Sequence, residues 1–432
     1  MSGTGLKHSL TPALLWGLGV GYVISGMYFG WNLGLEKGGT YGMALATFLV
    51  IILYTCFSFS YAELACAIPK AGGAYDYTER GFNKNLGFIA GLAQIIEFVF
   101  APPAIAIAIG TYWNLALPQM PVIAGAITVY VFFTGLNIYG VKAAARFELV
   151  ITVLAVGELI LFSGLTLPHF SLTQFTHNSL PNGWAGAFAA LPFAIWFFLG
   201  IEGLANVAEE TKNPQKDIQK GFAWALLTLI ILCLLVFIAA TGVSGWENIV
   251  YQEPGISSDS PLPLALGKIF ASTHLFYKLL IGIGLFGLIA SFHGLLLASG
   301  RASYEFGKIG NAPKMIGVIH PRFQTPANAL LFNSFLGIFI VCTGKTAEII
   351  ILSVFGALTL YILSMLSLLR LRTKEPLLSR PFKVPFYPFT PVMALVLALV
   401  SLVSLCYYNS LLSLYYFGIL FFFFIVFKLI KG

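Results

Sequence analysis

Charge is what this sequence lacks. Lys, Arg, Asp and Glu make up 9% of its 432 residues, whereas 58% are hydrophobic. A water-covered surface needs roughly a quarter of its residues charged, so a soluble globular fold is excluded. Cysteine is also sparse. Cys56, Cys66, Cys233, Cys342 and Cys406 all fall in apolar runs with no CxxC partner and no metal-ligand spacing, so they read as packing residues and no metal site is expected. Reaction motifs are missing too: there is no HExxH, no GxSxG and no Ser/His/Asp set suited to a buried reaction, which argues against an enzyme and implies no cofactor. No ring of filter carbonyls or charges marks a channel. Met1 to Thr11 is short and polar and runs straight into a full-length apolar span, so no removable signal peptide is expected.

Long apolar runs fill the remainder. A membrane-crossing helix needs about 20 mostly apolar residues, and about twelve such spans are expected, at 12–35, 41–67, 86–114, 121–140, 144–165, 184–208, 220–243, 275–304, 327–343, 347–369, 391–408 and 411–430. With the N-terminus inside, only Lys37, Lys268, Lys278 and Lys345 of the 24 Lys and Arg residues fall on outer segments. That asymmetry is the positive-inside pattern; both termini are then cytoplasmic, and the net charge of +7 reflects topology rather than a nucleic-acid partner. Two outer segments, Thr166–Gly183 and Ser244–Thr273, are long, polar and poor in charge, as lids or solvated loops are. On the inner side Arg372–Pro391, with five prolines, reads as an extended surface connector.

Broken helices in a bilayer are tolerated only where they line a cavity or are buried in protein. The first span holds Gly17, Gly19, Gly21, Gly26 and Gly30, with Ser25-Gly26 near its middle, and the sixth holds Leu199-Gly200-Ile201-Glu202-Gly203 at matching depth. Such glycines serve either a midplane binding site at corresponding positions of two repeats or close helix packing; Glu202 inside the second break favours the site. Ionisable residues at membrane depth cost roughly 2.5–3.5 kcal/mol on insertion scales, so each one is informative. Glu97, before the kinking pair Pro102-Pro103, and Glu202 are read as functional, with a structural hydrogen bond as the competing role. Glu158 and His293 are weaker candidates, whereas Glu63 and Glu148, near span ends, are read as structural. Trp196, one turn before the sixth-span break, could close over a ligand.

At these residues the chain resembles a known group of proteins. Ser25-Gly26, Ala62-Glu63-Leu64 with Pro69-Lys70-Ala71-Gly72-Gly73-Ala74-Tyr75, and Gly200-Ile201-Glu202 leading to Ala208-Glu209-Glu210-Thr211-Lys212-Asn213-Pro214 resemble the amino acid–polyamine–organocation (APC) transporters. Narrower marks are similar to the ethanolamine permeases: Ile24-Ser25-Gly26-Met27-Tyr28-Phe29-Gly30-Trp31, the run from Ile96-Glu97 to Pro102-Pro103-Ala104-Ile105-Ala106, and Ala290-Ser291-Phe292-His293-Gly294.

The resemblance implies an all-α membrane protein of leucine-transporter type. Its five-plus-five inverted repeat would comprise 12–165 and 184–369, followed by two helices in 391–430, with helices 1 and 6 broken. It implies a substrate site at Ser25, Gly26, Met27, Glu97, Trp196, Gly200 and Glu202, and proton coupling through Glu202, with Glu158 and His293 as further candidates. By similarity to the arginine/agmatine antiporter, Trp196 occupies the occluding position. Two departures stand out: Met27 replaces an acidic residue of the ethanolamine permease pattern, and Ala155 stands where proton-coupled members often carry a lysine.

The expected function is a secondary permease moving a small amine such as ethanolamine, or an amino acid, by alternating access in the bacterial plasma membrane. Its partners are that solute, protons and membrane lipid. An exchanger of the same superfamily and a transporter-like sensor are the alternatives. The ammonium is expected on Glu97, and a hydroxyl or carboxylate on amides freed at Ser25–Met27.

Overall fold

The computed structural model describes residues 10–139 and 144–431 of the chain. Lys7, Lys142 and the side chain of Lys431, counted above among the inner basic residues, lie outside that description, as does most of the Met1–Thr11 segment. The elements run α1 (Pro12–Val23), α2 (Ser25–Tyr28), α3 (Asn32–Ala67), α4 (Ala74–Gly81), α5 (Lys84–Ala116), α6 (Val122–Tyr139), α7 (Ala144–Thr166), α8 (Leu172–Thr176) and α9 (Ala185–Trp196). There follow a 3₁₀ stretch (Ile201–Glu210), α10 (Pro214–Ser244), α11 (Glu247–Val250), the short antiparallel strands β1 (Tyr251–Glu253) and β2 (Ile256–Ser257), and α12 (Pro261–Leu266). The chain closes with α13 (Leu275–Lys308), α14 (Ala327–Val341), α15 (Thr346–Lys374), α16 (Phe389–Tyr408) and α17 (Ser410–Lys431).

Among the described residues ten helical segments are long and apolar enough to cross a membrane, and two shorter apolar helices, α1 and α14, fall where the first and ninth spans were expected. The chain is an integral membrane protein. The first two expected spans join in an unforeseen way. Phe29–Trp31 interrupt the first one, and α3 then runs on into the second across a single kink at Gly39, whose φ of 62° only glycine adopts freely.

Burial sorts the helices into centre and rim. In α5 and in the segment from α9 to Glu210, 89% of the most apolar window is enclosed by protein, against 17% in α17. The enclosed helices read as apolar on all sides, and the rim helices turn large residues such as Phe335, Val403, Phe421 and Leu429 outward, as hydrocarbon contact requires. α5 is gripped by α15, α13 and α6, while α9 packs along α3. Neither long outer segment is a free loop. Thr166–Gly183 contains α8, and Ser244–Thr273 contains α11, the hairpin and α12, anchored where Asn32 Nδ2 donates to the carbonyls of Ile249 and Ser258 (3.3 and 2.8 Å).

The inner connector after α15 is likewise tied down, by Glu63 at the inner end of α3. The fully buried Glu63 carboxylate meets Arg372 Nη2 at 2.7 Å and Arg380 Nε at 3.4 Å, and accepts the Val384 amide at 2.7 Å. Arg380 in turn donates to the carbonyls of Leu371, Leu378 and Glu375, closing the proline-rich segment on itself. Removing the acid would leave two poorly solvated guanidinium groups uncompensated, which costs on the order of 3–5 kcal/mol for buried pairs. Glu63→Gln should therefore lower the thermal midpoint of the purified protein markedly and expose the 375–388 segment to protease. A midpoint equal to wild type would show that packing alone holds the connector.

Candidate functional site

The interruption near α1 has a cause far away in sequence. Ser291, in α13, inserts its hydroxyl into the backbone ladder: Oγ donates to the Gly21 carbonyl at 2.7 Å and accepts the Ser25 amide at 2.8 Å. The hydrogen bond that would join those two groups in a continuous helix is thus replaced, which is how an inserted side chain opens a helix. The Met27 amide turns back to Ile24 O at 3.0 Å. Full unwinding comes one turn after the expected Ser25-Gly26 position, at Phe29 (φ −161°, ψ 173°) and Gly30 (φ 87°). Of the amides expected to be free over Ser25–Met27, those of Ser25 and Met27 are already engaged.

The second interruption lies where the sequence placed it. α9 ends at Trp196, Gly200 turns the chain at φ 101°, and the next ten residues wind as a 3₁₀ helix. The two interrupted segments touch backbone to backbone. A Cβ on Gly26 would lie 2.4 Å from the Trp196 carbonyl oxygen and 3.0 Å from Phe197 Cα, so only glycine fits there. Trp196 lays its indole over Gly30, with Phe29 edge-on to it at 5.5 Å between centroids, and the ring is 2% exposed. Trp31 stacks on Phe197 beside it, also at 5.5 Å.

Beneath this aromatic layer lie two carboxyl groups. Glu202 accepts the Gly200 amide at 3.2 Å through Oε1 and the Tyr361 hydroxyl at 3.0 Å through Oε2. Tyr361, in α15, shares a 2.9 Å hydrogen bond with Tyr54 of α3. Glu97, in α5, is buried in the same region, and neither of its oxygens has a hydrogen-bond partner among the described residues. The α5 backbone is held here by Gly356, whose absent side chain lets α15 pass close to the Ala93 carbonyl and the Glu97 amide, and by Ser353 Oγ donating to the Glu97 carbonyl at 2.9 Å.

A set of polar contacts joins α5, the 3₁₀ stretch and the Pro69–Tyr75 motif. Gln94, one turn from Glu97, donates to Asn206 Oδ1 (2.8 Å), and Asn206 donates to the Ala71 carbonyl (2.7 Å). The Ala71 amide donates to Glu209 (3.1 Å), and Arg301 pairs with Glu210 at 2.8 Å. The Pro69–Tyr75 motif thus forms a plug under the carboxyl pair, with Gly73 (φ 55°) facing the Tyr61 hydroxyl. Both carboxyl groups are fully buried.

Of the residues singled out from sequence, Ser25, Gly26, Trp196, Gly200, Glu97 and Glu202 converge on this region. Met27 is fully buried, and its carbonyl accepts from Trp31 Nε1 at 3.2 Å. The other two candidates lie apart from the pair. Glu158 accepts the Tyr28 hydroxyl at 2.5 Å, and His293 Nδ1 meets Glu148 Oε2 at 3.1 Å. Glu148 does not reach an interface as its position near a span end implied. Helix α13 covers it completely, and its Oε1 is wedged between Gly21 and Gly294. Tyr54, Tyr361, Gln94 and Asn206 were not foreseen, because a lone tyrosine or amide in an apolar run carries no local signal. Among the described residues no group of three or more His, Cys, Asp or Glu is placed to hold a metal ion.

Comparison with known proteins assigns the scaffold. The chain is 28% identical over 408 residues to an uncharacterized transporter of Rhizobium meliloti (strain 1021), covering 91% of this chain and 85% of the relative. It is 26% identical over 426 residues to the branched-chain amino acid permease BcaP of Bacillus subtilis (strain 168), covering 93% and 88%. It is 25% identical over 335 residues to the low-affinity putrescine importer PlaP of Escherichia coli (strain K12), covering 74% and 72%. The sequence profile of the amino acid permeases matches residues 13–430, and on that match over nearly its whole length the chain belongs to the amino acid permease family, whose members are transporters and not enzymes.

Proposed function

We propose that this protein is a secondary permease for a small amine, with ethanolamine preferred to amino acids, working by alternating access in a five-plus-five inverted-repeat frame. The observation that carries the reading is Glu97: a fully buried carboxyl group with no hydrogen-bond partner and no ion pair among the described residues. Such a group needs a cation, and a substrate ammonium supplies one. The engaged amides at Ser25 and Met27 support the amine over the amino acid, since a substrate carboxylate would have to displace existing hydrogen bonds. One relative is named for putrescine import and another for branched-chain amino acids, so relatives support both substrate classes, and the unpartnered Glu97 favours the amine. Trp196 forms the outer door, and the plug formed by Ala71, Asn206 and Glu209 forms the inner one. In this reading both termini are cytoplasmic.

The decisive experiment is uptake of labelled ethanolamine into proteoliposomes, competed by serine and larger amino acids. Ethanolamine should be taken up and weakly competed. Glu97→Gln should abolish both uptake and ethanolamine-dependent thermal stabilisation, at a cost on the order of 3–5 kcal/mol of binding. Strong competition by serine with poor ethanolamine transport would assign the site to amino acids, and binding without uptake would make the protein a sensor.

Trp196→Ala removes the ring over the pocket and its edge-on contact with Phe29. Aromatic pairs contribute about 1 kcal/mol beyond burial, so uptake should fall by about fivefold on the scale of 1.4 kcal/mol per decade, and Trp196→Phe should be milder. Wild-type rates in the alanine variant would reduce the ring to packing.

Orientation is read by impermeant thiol labelling of intact cells in a background where the exposed Cys342 is serine. Cysteines at Ser179 and Ser257 should label, and those at Lys216 and Thr373 should not. The inverse pattern would reverse the topology.

A further inference from the structure

The connector between α15 and α16 has two faces, and the rest of the chain uses only one of them. The inward face is clasped: Arg380 and the Val384 amide meet Glu63, and Phe382 packs on Phe59 of α3 at 6.4 Å between ring centroids. The outward face carries the exposed Lys383 and Phe386, whose ring is left almost bare at 83% exposure. Phe386 is held at a φ of 54°, a left-handed conformation that a bulky residue adopts only under strain. Thr390 fixes it there, donating its amide to the Phe386 carbonyl (3.3 Å) and its hydroxyl to the Pro385 carbonyl (2.5 Å). The charges of the segment are equally one-sided. Between Arg370 and Pro391 stand five basic residues and one acid, Glu375, which Arg80 engages at 2.7 Å. Arg372 and Arg380 meet Glu63, Lys374 donates to the Arg80 carbonyl (2.7 Å), and Arg370 lies over the Phe82 ring at 4.5 Å. Lys383 alone of the five has no ion pair, hydrogen bond or ring contact with a described residue.

Helix α16 determines what covers this face. Phe389, Val392, Val396, Val400 and Val403 are exposed and stand three or four residues apart, so they form one stripe along a helix long and apolar enough to cross the membrane. Such a stripe faces hydrocarbon. Phe386 prolongs it just beyond the start of α16, and Lys383 follows three residues further out. An apolar stripe, then an aromatic ring, then a lysine is the order in which acyl chain, interface and phosphate are met on leaving a bilayer. We propose that this face binds an anionic phospholipid of the leaflet on the connector's side. Its acyl chain lies along Phe389–Val396, Phe386 sits at the boundary between chain and headgroup, and Lys383 pairs with the headgroup phosphate. The uncompensated positive charge selects a headgroup of net negative charge over a zwitterionic one. Because Glu63 clasps the loop beforehand, little ordering is required on binding, and the bound lipid is coupled to α3 through that carboxylate.

The test is the thermal midpoint of the purified full chain in detergent, titrated with dioleoylphosphatidylglycerol, with dioleoylphosphatidylcholine and with inorganic phosphate. Phosphatidylglycerol should raise the midpoint saturably and at lower concentration than phosphatidylcholine, as a ligand of the folded state does, and inorganic phosphate should not raise it. Lys383→Ala should increase the half-effective concentration of phosphatidylglycerol by about fivefold and alter the phosphatidylcholine response less. Phe386→Gly should weaken the response to both lipids while leaving the lipid-free midpoint at or above that of wild type, because glycine adopts the left-handed conformation freely. A phosphatidylglycerol response identical in Lys383→Ala and wild type overturns the site, as does a wild-type protein that does not distinguish the two lipids. Stabilisation by inorganic phosphate equal to that by phosphatidylglycerol replaces the lipid with a free anion and overturns it too. A lipid-free midpoint that falls in Phe386→Gly assigns the ring to packing within the chain, against the proposal.

Discussion

The close passage of two backbones at Gly26 is the constraint on which the rest of this molecule depends. A carbonyl at Trp196 and an α-carbon at Phe197 occupy the space a side chain would fill, and this fixes where the two interrupted segments cross. Every other feature of the pocket takes its position from that crossing. The indole of Trp196 can reach Gly30 only because its own backbone lies against Gly26. Gly200 turns beside the Tyr22 carbonyl and delivers Glu202 to the face where α5 brings Glu97. Interiors packed at this density transmit displacements instead of absorbing them, so a methyl group at position 26 would be felt along the backbone at Trp196 and Phe197.

Much of this was legible in the sequence, and what was not has identifiable physical causes. Gly200 and Glu202 were readable because an acid and a glycine so close together inside an apolar run are costly unless used. Within the first span the break was read at Ser25-Gly26; what the sequence could not show is that Ser291, more than 260 residues away, opens the ladder there and that the left-handed turn falls at Gly30. For Glu148, read as structural, the partner was illegible for a related reason. Its nearness to a span end is a statement about one helix, whereas its burial comes from α13, which arrives with His293. Tyr361 and Tyr54 carried no signal at all, since their significance is a hydroxyl pointing at a carboxylate on another helix. The proline-rich connector looked unattached because the acid that holds it, Glu63, belongs to α3.

The buried acids also divide more cleanly than their spacing implied. Glu158 is satisfied by a tyrosine and Glu148 by a histidine, each at a separate helix contact. Glu63 is satisfied by two arginines at the inner rim. Glu202 is met by the Gly200 amide and the Tyr361 hydroxyl, and Glu97 alone among these has no hydrogen-bond partner among the described residues. That distinction concerns partners and not burial, since all five are almost entirely enclosed.

The winding of Ile201–Glu210 has a mechanical side. Ten residues in a 3₁₀ helix extend over about 20 Å, whereas the same residues in an α-helix extend over about 15 Å. So long a 3₁₀ run is uncommon, and it is held at both ends: by the Gly200 turn above, and below by Glu210, which is tied to Arg301 and to the Leu10 amide. Rewound as an α-helix, the same segment would draw Glu210 and the Gly200 turn about 5 Å closer together.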